Sequence, residues 1–111
     1  GTAILVPGQY SSYKIDLHSN SYEALCQRRG TVKVYRDNNK DDILDHVEDE
    51  EGWFGINIHR AHSRIHYNNV NKFSAGCQVF ENVSDFAEFM SLCHKSARLY
   101  GNAFTYTLIE L

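Results

Sequence analysis

Apolar and polar residues alternate in short runs along much of the chain, the period-two pattern of half-buried strands. In Tyr13-Lys14-Ile15-Asp16-Leu17-His18, the residues Tyr13, Ile15 and Leu17 fall on one face, and Asp16 and His18 fall on the other. Ala3 to Val6, Tyr22 to Gln27 after a Ser-Asn turn, Thr31 to Arg36 after Gly30, and Phe104 to Ile109 read as strands on the same grounds. Trp53 to His59 is predicted as a further strand, with Ile56 and Ile58 toward the core and Asn57 and His59 sharing the opposite face. The period changes once. Phe86, Phe89, Met90, Cys93 and Ala97 recur at helical spacing, with Ser84 placed to cap the start and Gly101 to end the helix. Asp85 and Glu88 in the first turn and Lys95 and Arg98 in the last suit the helix dipole. Six or so strands and one helix near the C-terminus predict a mainly β fold, a β-sandwich or flattened barrel with the helix on one side.

Composition narrows the class without naming a function. At 111 residues the chain is one domain, 1–111, and its opening Gly-Thr-Ala-Ile-Leu-Val reads as the start of a fragment of a longer protein. With 42% hydrophobic and 23% charged residues it is an ordinary globular sequence, not a disordered one. A net charge of -3 gives no basic footprint for nucleic acid, and Arg28-Arg29 is too short to make one. No apolar run approaches the ~20 residues of a membrane helix. Cys26, Cys77 and Cys93 are an odd number, so at least one thiol is unpaired within the chain and a disulfide scaffold is not expected. Cys93 reads as packing on the helix stripe; whether Cys26 is free stays open.

Cys77 stands apart, in Phe73-Ser74-Ala75-Gly76-Cys77-Gln78-Val79-Phe80. A thiol attacks as thiolate, and an ordinary pKa of about 8.5 leaves it protonated at neutral pH, so a nucleophilic cysteine needs a base beside it. His59 is the best candidate, at the end of a predicted strand on that strand's polar face. Gly76 permits a tight backbone that exposes the next side chain and aims amides at a developing oxyanion. The plainer role for Cys77 is a small buried hydrophobe beside Val79 and Phe80.

Gly55-Ile56-Asn57-Ile58-His59 followed by Ser74-Ala75-Gly76-Cys77 resembles the catalytic signature of the YkuD-type L,D-transpeptidase family. That family carries a histidine at a strand end, a variable loop, then Ser-His-Gly-Cys or Ser-Thr-Gly-Cys. The resemblance implies a β-sandwich, Cys77 as acyl-accepting nucleophile, His59 as base, and Ser74 and Gly76 in the turn that holds the oxyanion. It implies no required cofactor, a peptidoglycan stem peptide as partner, and a place in the cell envelope, in the periplasm or outside the cell, or on a phage acting on its host's wall. Asn57, His18 and Arg60 are expected as neighbours of the site, with Asn57 or a backbone carbonyl orienting His59. Three positions depart from the family pattern: Ala75 where it often has histidine, Val79 where it commonly has arginine or asparagine, and Arg60 in place of glycine. These bear on substrate contacts, and they tilt the expectation from stem exchange toward hydrolysis by a cell-wall peptidase.

Two metal readings and one rival role accompany this one. Asp37, Asn39, Asp41, Asp45 and Glu48 occupy oxygen-donor positions of a calcium loop, although its glycine position is Asp42; an acidic hairpin loop is the alternative. His59, His62 and His66 would share a face if residues 59–66 were helical, a zinc-hydrolase arrangement, whereas the nearby asparagines favour a loop. Asn82-Val83-Ser84 matches a glycosylation acceptor but doubles as a helix cap. The rival role is a wall-binding or virion module that keeps the fold without the activity.

Overall fold

The computed structural model describes residues 3–36, 49–61 and 77–110. Among them the order is β1 (Ala3–Leu5), β2 (Gly8–His18), β3 (Tyr22–Gln27), β4 (Val32–Arg36), β5 (Asp49–Gly52), β6 (Ile58–Arg60), β7 (Gln78–Phe80), α1 (Val83–Tyr100) and β8 (Phe104–Leu108). Among the described residues the fold is mainly β with one helix toward the C-terminus, as the alternation predicts. β1, β4 and β5 form a three-stranded sheet, and β7-β6-β3-β2-β8 form a five-stranded one. The larger sheet curls into a half-barrel. Although β7 and β8 end the strand order, the Tyr106 hydroxyl on β8 reaches Gln78 Oε1 on β7 at 3.1 Å.

Every pairing among the described strands is antiparallel except β6 with β7, where Ile58 faces Gln78 and His59 faces Val79. Directly opposed residues of a parallel pair project from the same face, so this register sorts the side chains. Leu25, opposed to Ile58, joins Ile58 and Phe80 on the side where α1 packs. There Phe80 meets Phe86 at 5.7 Å between ring centroids and Phe89 at 5.0 Å, while Phe86, Met90 and Cys93 are the buried helix residues. An open cavity of about 420 Å³ remains on this side, lined by Leu25, Ile58, Phe80, Phe89 and Cys93.

Among the boundaries that differ from expectation, three have a local reason. The helix is capped by Asn82, not Ser84: the Asn82 carboxamide oxygen accepts from the Ser84 and Asp85 amides. The acidic stretch ends in a strand, because Asp49–Gly52 pairs with β4 and Glu51 accepts from the Thr31 hydroxyl at 2.6 Å. The strand predicted over Trp53 to His59 begins only at Ile58. Gly55 lies at φ +65, which bends the chain, and side chains take over the ladder bonds. Ile56 N–H donates to Gln27 Oε1 at 3.0 Å, and the Ile56 carbonyl accepts from the Tyr13 hydroxyl at 2.7 Å.

Candidate active site

The face of β6 and β7 turned away from α1 gathers the polar chemistry. Gln78 N–H donates to the Asn57 carbonyl, which extends the β6–β7 register back to Asn57 and Cys77. Asn57, His59 and Cys77 therefore share that face, and His59 lies one same-face step along from Cys77 on the neighbouring strand. A two-residue step across adjacent strands spans roughly 8 Å between Cα atoms; the thiol bonds to Gly55 and Asn57 and the His59 ring to the Arg60 carbonyl. His18, at the end of β2, completes the group: its ring stacks on that of His59, centroids 4.3 Å apart and planes 15° from parallel.

Hydrogen bonds set the state of each group. The Cys77 thiol donates to the Gly55 carbonyl at 3.4 Å and accepts from Asn57 N–H at 3.3 Å. Half-burial pushes this thiol above the usual cysteine range, and the Asn57 amide opposes that shift. At rest the site holds a neutral thiol and not a preformed thiolate. His59 is pushed the other way by burial, below the usual histidine range, with its bond to the Arg60 carbonyl working against the shift. That bond, His59 Nδ1–H to the Arg60 oxygen at 2.9 Å, fixes the proton on Nδ1 because a carbonyl can only accept. Nε2 then carries the ring's free lone pair, the atom able to accept a proton.

The Arg60 carbonyl, not Asn57, is what orients His59. Asn57, only 5% exposed, accepts from Gln27 N–H through Oδ1 at 3.0 Å and joins His18 Nδ1 through Nδ2 at 2.9 Å. Arg60 acts through its backbone, while its guanidinium lies 4.1 Å over the Tyr22 ring. The Tyr22 hydroxyl donates to the same Arg60 carbonyl and accepts from Arg60 N–H, both at 3.3 Å. Tyr22 and Gln27 are thus supports that sequence reasoning passes over. A signal for each exists: Tyr22 opposes His18 in the β2–β3 hairpin, and Gln27 is a polar residue closing an apolar strand.

Of the remaining expected site residues, Ser74 and Gly76 lie outside the described residues. So do the calcium candidates Asp37, Asn39, Asp41, Asp45 and Glu48, and the zinc candidates His62 and His66. Among the described residues, no group of three or more His, Cys, Asp and Glu is arranged to hold a metal ion. Cys26, Cys77 and Cys93 are all free thiols. Among the described residues no helix is long and apolar enough to cross a membrane.

Compared with family models, curated proteins and solved structures, the chain matches none. Its chemistry is therefore read from its own residues.

Proposed function

We propose that this chain is a cysteine-dependent acyl-transfer enzyme acting on peptide stems of bacterial peptidoglycan, with water favoured over an amine as the final acceptor. The observation that supports it is the placement of His59, with a free Nε2 lone pair, one step from Cys77 on the same face of adjacent parallel strands. The substrate class rests on the resemblance of His59 and Ser74-Ala75-Gly76-Cys77 to the YkuD-type L,D-transpeptidase signature. A place at the cell envelope, or on a phage acting on it, follows from that substrate.

Because the resting thiol is neutral, deprotonation accompanies attack. His59 Nε2 takes the Sγ proton as sulfur bonds to the carbonyl carbon, and the carbonyl electrons move to oxygen. The backbone amides of Gly76 and Cys77 are the oxyanion donors that the resemblance implies. Collapse breaks the C–N bond, and the amine leaves with the proton held by His59. Water, deprotonated by the same nitrogen, then attacks the thioester and releases a carboxylic acid and the Cys77 thiol.

The test is to incubate wild type and Cys77→Ala with purified muropeptides and follow products and intact protein by mass spectrometry. Products, or an acyl adduct on the protein, that vanish in the variant support the reading; unchanged muropeptides and protein mass overturn it. One observation favours a second reading, a wall-binding module without activity: the thiol is held neutral between an amide and a carbonyl. Retention on isolated cell walls by a protein that leaves every muropeptide unchanged is the result that reading requires.

A further inference from the structure

The two stacked imidazoles hold opposite tautomers, and a chain of hydrogen bonds from the core fixes which is which. Gln27 is 2% exposed; its side chain donates to the Gly30 and Gly52 carbonyls and accepts from Ile56 N–H. Gln27 N–H can only donate, so the Asn57 atom facing it is the carboxamide oxygen, and the atom facing His18 is the NH₂. His18 Nδ1 therefore accepts, and the proton of a neutral His18 sits on Nε2. His59 is the reverse, with its proton on Nδ1 against the Arg60 carbonyl. Each ring turns its Nδ1 edge to the protein, and among the described residues neither Nε2 has a hydrogen-bond partner.

We propose that His18 is a substrate-binding residue of this site, a neutral imidazole whose Nε2–H donates a hydrogen bond to an acceptor oxygen of the acyl substrate beside the His59 base. This rests on the acyl-transfer reading above. The same stack thus presents a donor and a lone pair side by side, which a carbonyl or carboxylate and a thiol proton require together. His18 is kept neutral by its surroundings. A second proton would have to go to Nδ1, where the Asn57 NH₂ already points, and turning that amide over would set its NH₂ against Gln27 N–H. The charged and titratable groups around His18 are His59 on β6, Tyr22 on β3, Asp16 on β2, and Arg28, which pairs with Asp16 at 3.5 Å. Burial, His59 and Arg28 all push His18 below the usual histidine range.

Long-range proton–nitrogen NMR on the labelled protein reads the tautomers directly. His18 is expected as Nε2–H and His59 as Nδ1–H at pH 7, and a proton on His18 Nδ1 would overturn the proposal. Asn57→Asp supplies a second acceptor in place of the NH₂, so the His18 midpoint should rise by about one pH unit or more; an unmoved midpoint counts against the Asn57 control. His18→Phe keeps the stack and removes the donor. Muropeptide turnover should then fall about a hundredfold, with alkylation of Cys77 by iodoacetamide within about twofold of wild type. Unchanged turnover overturns the substrate role. Stems with free and with amidated carboxylates separate the two oxygens: a loss confined to the free acid assigns the bond to the carboxylate, and equal losses assign it to the scissile carbonyl. A wild-type protein that transforms no muropeptide overturns the acyl-transfer reading and the substrate role with it, while the tautomer measurement still reports on the imidazole pair.

Discussion

The two faces of β6 and β7 use the same backbone for opposite ends. On the helix side, Ile58 and Phe80 meet Phe86, Met90 and Cys93, and the Cys93 thiol is raised by burial alone. On the other side, Asn57 and His59 meet His18, and the Cys77 thiol is raised by burial yet receives a backbone amide. Burial therefore does not separate the helix-side cysteine from the one on the histidine face in this protein. Hydrogen-bond partners and a neighbouring imidazole do.

The largest expected effect breaks the comparison at its chemical end. Cys77→Ala should reduce muropeptide turnover by at least about a thousandfold and His59→Ala by about 10²–10⁴, while Cys93→Ala stays within about twofold; product analysis under saturating substrate checks all three. The helix side breaks in stability instead. Phe86→Ala should cost about 3–5 kcal/mol in urea unfolding, yet leave the alkylation rate of Cys77 unchanged under conditions where the variant is folded. Gln27→Ala acts on both sides of the comparison, since Ile56 N–H and the Gly30 and Gly52 carbonyls lose their partner. A cost of about 1–3 kcal/mol is expected, with His18 and His59 midpoints shifted in NMR titrations.

Acid sharpens the distinction more gently. His18 and His59 are both held below the usual histidine range, so the unfolded chain binds protons first on acidification. Their contribution is present above about pH 6.5 and lost as the pH falls through their folded midpoints, and a scan of Tm against pH should show that slope flatten when both are Phe. Cys77 has the opposite sign: its raised midpoint contributes below about pH 8.5 and is lost as the pH rises. The smallest effect is remote from both faces. Asn82→Ala should lower stability by about 1 kcal/mol through the Ser84 and Asp85 amides, with turnover unaffected.

Period and caps made most of the fold legible. β3 runs from Tyr22 to Gln27 as the alternation reads, and the helix buries Phe86, Met90 and Cys93 from its predicted stripe. The strand expected over Trp53 to His59 was misread because alternation continues through Gly55, whereas the backbone there is satisfied by Gln27, Tyr13 and Cys77. Such side-chain bonds leave no periodic trace. In the site, the shared face of Asn57 and His59 was visible from the two-residue period. The parallel register that brings Cys77 to that face was not, since pairing between distant segments is a tertiary choice. His18 was legible only as a polar strand residue; its stack on His59 depends on β3 lying between β2 and β6.

The parallel pairing of β6 with β7 has a consequence for how the chain can vary. Two strands running the same way cannot be joined by a tight hairpin, so β6 and β7 need a separation of about a dozen residues or more in the sequence. Lengthening such a connection is thermodynamically mild, with each doubling adding only about 0.6 kcal/mol of closure entropy. The register at Ile58 and Gln78, not the connection, decides where His59 stands relative to Cys77. Sequence inserted between them would thus leave the pairing of Ile58 with Gln78, and with it the placement of His59 relative to Cys77, unchanged.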